Sequence, residues 1–304
     1  MHGLLLIDKP QGMSSFDVVR QVRRIFGTRK VGHAGTLDPL ATGVLALALG
    51  EGTKLLQFLL AENKSYRATL HLGVTTTTLD AEGEELEQRS LSPQLLDNLD
   101  RVLAAFRGEI KQIPPMYSAL KRDGVPLYKL ARAGKTVERQ ARGVRIDRLE
   151  VVDCALPHVT IDVSCSKGTY IRTLGADIGA ALGCGAHLSA LRRLSIGAFS
   201  IEQCLPLDQL TNISQVRHTG AFLGLHQMLG DYPSVALNAA AAGRLRHGVS
   251  PEAADYACPE TLIEGQTTRL MADGELLAVA IYIPTSRSHK PGDFELLRVL
   301  NPPV

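Results

Sequence analysis

Twelve consecutive residues, Gly32-His33-Ala34-Gly35-Thr36-Leu37-Asp38-Pro39-Leu40-Ala41-Thr42-Gly43, place one carboxylate, one imidazole and two hydroxyls among glycines. Glycines adopt backbone angles that other residues avoid, so this pattern is typical of a shaped loop. Pro39 fixes the chain just after Asp38 and disfavours a helical conformation for Asp38 itself. The apolar run 44–49 follows and is expected to anchor the loop in a core. On residue types alone, Asp38 equally suits a turn that caps the next segment.

The same segment resembles the catalytic loop of the tRNA pseudouridine-55 synthase (TruB) family, whose pattern is G-H-x-G-T/A-L-D-P-x-A-T-G. Asp38 falls on the essential aspartate of that pattern, and His33 falls on its histidine. The resemblance implies that Asp38 is the catalytic residue. It also implies that His33 binds substrate by filling the place that a flipped base leaves.

The N-terminal residues predict a strand followed by a helix. Residues 3–8 are apolar, and the S-x-x-D pattern at 14–17 is a helix-capping signal. Apolar residues follow at helical spacing, and Gly27 is a plausible helix stop. The combination Lys9-Pro10-x-Gly12-x-Ser14 also matches the family's opening motif.

Strict alternation from residue 66 to residue 72 predicts a strand with Tyr66 on its apolar face. On this pattern alone Tyr66 is equally a core residue. The resemblance places Tyr66 at the family's K-x-Y motif, where a tyrosine stacks on the target base. Such stacking contributes about 1–3 kcal/mol per base.

Residues 73–83 resemble the family pattern G-x-x-T-D-T-x-D-x-x-G, with Thr76, Thr78 and Asp80 retained. Thr77 stands where the family usually has an aspartate. The resemblance implies that this acid helps to hold an active-site arginine. We therefore expect its absence here to loosen that arginine or to leave part of the arginine's charge to Asp38.

The central part of the chain predicts a helix, a connection and a basic segment. Ser92 and Pro93 begin an amphipathic pattern that ends at Gly108. A proline-containing connection is expected over 109–118, and its Q-x-P-P-x-Y-S-A-x-K string at 112–121 again resembles the family. Residues 121–142 are basic and resemble the family's RNA-gripping insertion. A cationic arm of this kind suits a phosphate backbone.

A second family signature, S-K-G-T-Y-I-R at 166–172, follows a predicted strand at 159–165 and opens a predicted helix. Arg172 alone would suit a surface position or a phosphate contact, but the resemblance implies that it pairs with the catalytic aspartate. A guanidinium is planar and always charged, so it can orient a carboxylate. The resemblance also assigns Tyr170 and Leu191 to the substrate pocket, while Leu191 equally suits the core.

From about residue 235 the pattern becomes that of a small β-rich unit. An alanine run at 239–242 is followed by two apolar runs that flank Ala272-Asp273-Gly274-Glu275, a strong hairpin signal. A further short strand is expected at 294–300. The position of this unit is similar to that of the family's PUA RNA-binding domain.

Composition narrows the class of protein. The net charge is only +2, but the charges are unevenly distributed: basic residues cluster at 20–30 and 121–148, and acidic residues cluster at 80–87. Segregated charge fits a polyanion-binding face, although solvated helix faces give the same pattern. Five cysteines without a C-x-x-C pair do not predict a disulfide framework or a zinc site. The pattern predicts no metal, no cofactor, no signal peptide and no membrane span, so the cytoplasm is the expected location.

Together these features predict an α+β fold, namely a mixed-sheet pseudouridine synthase catalytic domain at 1–234 and a PUA-like domain at 235–304. The expected activity is isomerisation of uridine 55 in the T-arm of tRNA to pseudouridine. The expected site is Asp38 as the catalytic residue, with His33, Tyr66, Tyr170, Arg172 and Leu191 binding substrate. A monomer without an obligatory protein partner is expected. A non-catalytic tRNA-binding or tRNA-folding protein is the alternative, and a guide-RNA-dependent synthase of the dyskerin type is a third possibility that the basic insertion disfavours.

Overall fold

The structure is a computed structural model that describes residues 1–216, 219–257, 261–284 and 291–301. Cys258, one of the five cysteines, lies outside the described residues. Cys154 is exposed, Cys165 and Cys184 are buried, and Cys204 is half-buried, and all four are free thiols.

The secondary structure alternates between strands and short helices. The strands are β1 (Gly3–Lys9), β2 (Val31–His33), β3 (Thr42–Leu49), β4 (Lys64–Leu72), β5 (Val74–Thr76), β6 (Glu85–Gln88), β7 (Gly108–Gln112), β8 (Lys121–Arg122), β9 (Val125–Pro126), β10 (Arg142–Ala155), β11 (His158–Cys165), β12 (Ala186–Ile196), β13 (Phe199–Ser200), β14 (Leu205–Pro206), β15 (Phe222–Leu223), β16 (Ser234–Leu237), β17 (Tyr256–Ala257), β18 (Thr267–Ala272), β19 (Glu275–Tyr282) and β20 (Phe294–Val299). The α-helices are α1 (Ser15–Phe26), α2 (Leu56–Ala61), α3 (Leu99–Ala105), α4 (Leu127–Arg132), α5 (Ile171–Ala181), α6 (Ile213–Val216) and α7 (Ala239–Arg246), and 3₁₀ turns occupy Gly50–Leu55, Pro93–Asn98, Ile201–Gln203, Leu207–Gln209, Gln227–Leu229 and Ala253–Asp255.

A mixed sheet forms the body of the molecule. Within the described residues it has eleven strands, and its main path runs in the order β14-β1-β3-β12-β4-β11-β10-β7. β12 is parallel to β3 and antiparallel to β4, so the two strands that carry the catalytic loop and Tyr66 lie on either side of it. The expected α+β mixed sheet is confirmed.

Helix α1 begins and ends where its sequence signals predict. The Ser14 side chain accepts a hydrogen bond from the Asp17 amide, and the Asp17 carboxylate accepts one from the Ser14 amide at 2.9 Å. This reciprocal capping box satisfies two amides that a helix start leaves unpaired. Gly27 ends the helix in the left-handed conformation with φ 59°, which glycine adopts at no steric cost. The helix buries Val18, Val19 and Val22 against the sheet.

Two predictions for the central region were wrong in detail. The expected helix from Ser92 to Gly108 divides into the 3₁₀ turn at Pro93–Asn98 and the shorter helix α3, and no side chain caps the turn at Ser92. The expected connection at 109–118 begins with strand β7, which pairs with β10 at the sheet edge. Pairing with β10 satisfies the backbone of this segment, an interaction that local sequence does not indicate.

The basic segment 121–142 forms a small unit beside the large sheet. It contains the β8–β9 pair and helix α4, and Tyr128 donates a backbone hydrogen bond to the Ser118 carbonyl at 3.1 Å. Arg139 donates to the Pro114 carbonyl at 3.1 Å. These contacts hold the segment next to the 112–121 string.

A second sheet, in the order β17-β16-β18-β19-β20, forms a small β-rich C-terminal unit as expected. The Asp273-Gly274 hairpin joins β18 and β19, with both residues at positive φ. Leu276, Val279 and Leu300 pack with Leu4 and Leu6 of β1 in one apolar cluster. The unit therefore shares buried surface with the large sheet. Among the described residues, no helix has the length and apolar character needed to cross a membrane.

Candidate active site

The loop that carries Asp38 joins β2 to β3 and is held from both sides by neighbouring backbone. The Ser15 hydroxyl donates to the Leu37 carbonyl at 3.0 Å and accepts from the Leu37 amide at 2.8 Å. The Pro39 carbonyl accepts from the Gly12 amide at 2.8 Å. The fully buried Lys9 ammonium donates to the Met13 carbonyl at 2.6 Å and lies 3.5 Å from that of Pro39. These contacts fix the loop immediately before and after Asp38.

Arg172, in the first turn of α5, holds the Asp38 carboxylate. Its Nε lies 3.0 Å from Asp38 Oδ2, and its Nη1 lies 3.3 Å from Asp80 Oδ2. The guanidinium also donates to the Thr78 carbonyl at 3.1 Å and to the Tyr117 carbonyl at 2.7 Å. Only 7 % of the Arg172 side chain is exposed, whereas 37 % of the Asp38 side chain faces the cleft. This geometry leaves one face of Asp38 open to a substrate.

Asp80, rather than residue 77, supplies the second carboxylate to Arg172. The exposed Thr77 turns outward, and its hydroxyl accepts a hydrogen bond from the Glu84 amide at 3.1 Å. Asp80 is buried, and it accepts from the Thr78 hydroxyl at 2.5 Å and from the Glu82 amide at 3.1 Å. The expectation that Thr77 loosens the arginine is therefore wrong, because the aspartate that binds the guanidinium is present.

A cleft of about 390 Å³ opens above Asp38. It is lined by Asp38, Tyr66, Tyr170, Arg172 and Leu191, five of the six predicted site residues. The wall also contains four residues to which the sequence motifs gave no individual role: Lys64, Tyr117, Tyr128 and Arg193. Asp38 therefore faces an aromatic, partly cationic cavity.

His33 lies on β2 at the start of the catalytic loop and is not part of the cleft wall. Its Nδ1 is buried without a hydrogen-bond partner in the described structure. Burial lowers the pKa of His33, with a smaller contribution from the Arg193 charge, so the imidazole is neutral at physiological pH. A neutral ring is suited to an apolar or stacked environment.

Tyr66 and Tyr170 reach the cleft from different elements. Tyr66 lies on β4 directly across from Arg193 of β12, and it is buried except for its cleft-facing part. Tyr170 precedes α5, where its backbone exchanges two hydrogen bonds with the buried Gln112 side chain, at 2.8 and 3.0 Å. Burial raises the pKa of both phenols, so both are protonated at neutral pH.

Desolvation raises the pKa of Asp38, while the Arg172 charge opposes that rise and the Asp80 charge adds to it. Asp38 therefore binds a proton at a higher pH than an exposed aspartate does. A carboxylate of raised basicity, oriented by a fixed guanidinium, is suited to act as a nucleophile or base.

The sequence motifs gave no role to two residues of the site, for different reasons. Asp80 is retained in the 73–83 pattern, but the pattern does not show that this acid, rather than residue 77, binds Arg172. Arg193 follows Leu191 by two positions, and no local signal there separates a buried arginine from an exposed one. Its burial becomes visible only when β3, β12 and β4 are assembled.

Solved structures with the same architecture identify the class. The chain is 28% identical to a chain of the Cbf5-Nop10-Gar1 complex, with a TM-score of 0.76, over 99% of this chain and 85% of that one. It is also 26% identical to a chain of an H/ACA RNP bound to a substrate RNA containing 2′-deoxyuridine. The TM-score is 0.75, and the match covers 99% of this chain and 85% of that one. This fold, with an arginine-bound aspartate in its cleft, defines a pseudouridine synthase, which is an isomerase.

Sequence comparisons give the family. The N-terminal domain model of TruB family pseudouridylate synthases matches residues 23–171, and the tRNA pseudouridylate synthase B C-terminal domain model matches residues 172–229. The tRNA pseudouridine synthase B of Syntrophotalea carbinolica is 47% identical over 99% of this chain and 98% of its own length. The tRNA pseudouridine synthase B of Geobacter sulfurreducens is 44% identical over 99% of this chain and 100% of its own length. The chain belongs to the TruB family of pseudouridine synthases.

Proposed function

We propose that this protein isomerises the uridine at position 55, in the T-arm of tRNA, to pseudouridine, with Asp38 as the nucleophile or base. The observation that carries the proposal is the Asp38 carboxylate, bound by Arg172 and open to a cleft that Tyr66 lines. A protein that only binds RNA has no need of a desolvated carboxylate at the base of a cleft, because that charge repels phosphates.

The reaction requires the target base to leave its stack. The N1–C1′ glycosidic bond breaks, the uracil turns, and C5 joins C1′. Unstacking costs a few kcal/mol, and stacking of the extruded base on an aromatic side chain offsets part of that cost. We assign Tyr66 to this stacking and Tyr170 and Leu191 to the pocket wall, because all three line the cleft that contains Asp38.

His33 is assigned to the RNA side of the site rather than to the chemistry. It lies at the start of the catalytic loop, and its half-buried imidazole is uncharged because partial burial lowers its pKa. Such a ring is suited to occupy the stack position that the uridine leaves. Arg172 is assigned the role of holding Asp38 ionised and oriented.

The RNA partner is proposed to be the T-arm stem-loop, contacted by the basic insertion 121–142. Six exposed cations lie in this segment: Lys121, Arg122, Lys129, Arg132, Lys135 and Arg142. Tyr128 of the same segment lines the cleft, so the insertion adjoins the site.

The small C-terminal sheet unit is assigned as a PUA-like RNA-binding domain from about residue 235. We further propose that the protein acts as a monomer, in the cytoplasm, without a cofactor or an obligatory protein partner.

The proposal is tested with a tRNA transcript whose uridines carry tritium at C5. Pseudouridine formation releases that hydrogen, so tritium in the solvent reports the rate. The parent protein is expected to release one equivalent per tRNA. Asp38→Asn is expected to release none, because the amide is not a nucleophile or base, while its tRNA binding is retained.

The matched RNA control is the same transcript with cytidine at position 55, from which no tritium is expected. Release from that transcript would place the modified uridine elsewhere and contradict the assigned position. Absence of release from the parent protein, together with tight tRNA binding, would instead support the non-catalytic RNA-binding alternative.

A further inference from the structure

Arg193 is an arginine enclosed by the centre of the sheet. It is only 1% exposed, although it is one of the residues that line the cleft. The residue lies on β12 between two neighbours, directly opposite Tyr66 on β4 and Gly43 on β3. Gly43 has φ +101°, and a Cβ there would lie 2.2 Å from the Arg193 carbonyl oxygen. A glycine is therefore needed for the Arg193 backbone to approach the end of the catalytic loop.

The guanidinium binds both ends of the catalytic loop by hydrogen bonds to backbone carbonyls. Its Nε donates to the Val44 carbonyl at 2.7 Å, and its Nη2 donates to the Gly35 carbonyl at 3.1 Å. Gly35 precedes Asp38 and Val44 follows it. The two bonds hold the guanidinium beside the loop, and Arg193 lines the same cleft as its strand neighbour Tyr66.

The charge of Arg193 has no carboxylate partner among the described residues. Arg172, in the same cleft, is neutralised by Asp38 and Asp80. Desolvating a cation is costly, and carbonyl dipoles alone offset that cost incompletely. The cleft thus keeps a fixed positive charge on its wall. The neighbouring Lys64 adds a second cation, but burial lowers its pKa to about 8, whereas a guanidinium stays charged at every physiological pH.

We propose that Arg193 stabilises the negative charge that develops on the uracil when its glycosidic bond breaks. This inference rests on the proposed function and adds a residue that none of the sequence motifs assigned to the reaction. A preorganised charge in a water-poor cleft acts on such an anion more strongly than a charge in water does.

The charge balance of the reaction requires such a stabiliser. When N1–C1′ breaks, the bonding electron pair leaves with the base, so the departing uracil is an anion shared among N1 and its carbonyl oxygens. The anion then uses its C5 to form the new bond to C1′. C5 finally loses its proton and N1 gains one, so the product is an isomer of the substrate. The base is negatively charged from the breaking of N1–C1′ until C5 bonds to C1′, because the adduct that then forms is a neutral tautomer of the product.

The test compares uridine with 5-fluorouridine at position 55 in single-turnover reactions. Fluorine withdraws electrons and makes the departing base a more stable anion, so a missing cation matters less for the fluorinated RNA. Loss of each nucleoside is followed by nuclease digestion and mass spectrometry. Arg193→Gln is expected to slow the uridine reaction by about tenfold or more and the 5-fluorouridine reaction by much less.

The readout is the ratio of two rates from one protein preparation, so a partly unfolded variant does not distort it. A merely structural role would slow both RNAs equally and leave the ratio at the parent value, and that result overturns the proposal. Arg193→Lys retains a cation and is expected to keep a ratio near that of the parent, even if its rates fall.

A second pair of variants tests the same charge from the surface. Thr36 is exposed, lines the cleft and follows Gly35, whose carbonyl binds Arg193. Thr36→Glu places a negative charge there and is expected to change the ratio of the two rates in the same direction as Arg193→Gln. Thr36→Gln introduces a side chain of the same size as glutamate without the charge, and it is expected to leave the ratio unchanged. Equal ratios for the two Thr36 variants and an unchanged ratio for Arg193→Gln would overturn the inference. A parent protein inactive on both RNAs would overturn the proposed function itself.

Discussion

Arg172 shows how one buried side chain organises a site by using all of its donors. Two carboxylates and two carbonyls surround the guanidinium, and no single one of them is sufficient to fix its plane. Asp80 affects Asp38 in two ways. It holds Arg172 in position, and its negative charge raises the pKa of Asp38.

Asp80→Asn separates these two effects. We expect the rate of pseudouridine formation at neutral pH to fall by at least about tenfold, because Arg172 loses a partner that orients it. Loss of the Asp80 charge also lowers the pKa of Asp38, so the acid limb of the rate profile is expected to move to lower pH. The profile of the single-turnover rate against pH measures both effects. An acid limb at unchanged or higher pH would contradict the assigned electrostatic role.

Thr77→Asp is the matched test of the neighbouring position. Thr77 is exposed and directs its hydroxyl to the Glu84 amide, so an aspartate there faces solvent rather than Arg172. We expect a rate within about twofold of the parent, as for most surface substitutions. Tritium release under the conditions used for Asp80→Asn provides the comparison. A large gain in rate would mean that the residue 77 side chain does reach the arginine.

At the residue scale, sequence patterns located the acid and its arginine but not their whole environment. Asp38 and Arg172 stand in motifs whose resemblance to the family implies their roles. Asp80 and Arg193 act through burial, and burial depends on which strands become neighbours. No spacing along the chain encodes that Arg193 lies opposite Tyr66.

Helix α1 supports the catalytic loop from its first residue. Ser14 caps the helix, while the adjacent Ser15 is buried and bonds both the amide and the carbonyl of Leu37. Two serines in sequence therefore perform different tasks, one within the helix and one between elements.

Ser15→Ala leaves the Leu37 amide and carbonyl without their partner. We expect a loss of about 1–3 kcal/mol in the free energy of unfolding, together with a lower turnover rate because the loop before Asp38 is less rigid. Urea unfolding and tritium release measure the two quantities on the same preparation.

Ser14→Ala serves as the control, since it removes the helix cap without touching the loop. Its expected cost is about 1 kcal/mol of stability with turnover unchanged. If both variants reduced turnover in proportion to stability, the special link between Ser15 and the loop would be disproved.

At the element scale, helices and strands with strong local signals were predicted well, and segments that depend on partners were not. The capping box and Gly27 bounded α1 correctly, and strict alternation defined β4. Strand β7 exists because β10 pairs with it, and the turn at Pro93–Asn98 lacks the cap that an α-helix start would favour. Tertiary pairing outweighs local propensity at both places.

The charge of the whole molecule matters through its distribution rather than its sum. A net charge of +2 is nearly neutral, yet the exposed cations of the insertion 121–142 lie on one segment beside the cleft. The acidic cluster begins at the site, where Asp80 binds Arg172, and continues to strand β6, where Glu87 pairs with Arg89. The excess positive charge that attracts an approaching tRNA therefore lies on the insertion beside the cleft.

This arrangement predicts how tRNA binding responds to salt. Each phosphate contact releases condensed counterions, so removing one contacting cation reduces the slope of log affinity against log salt by about 0.7–0.9. Lys129→Gln and Lys135→Gln, in and just after α4, are expected to reduce the slope by about that amount each and to weaken binding of all tRNA sequences equally. Filter binding across a salt series measures the slope for each variant.

Arg89→Gln is the control, because Arg89 lies in the acidic region and is already paired, so the slope of this variant should equal that of the parent. A slope that changes with Arg89→Gln but not with Lys129→Gln would place the RNA at the acidic region around β6. That result would contradict the assignment of 121–142 as the RNA-gripping segment.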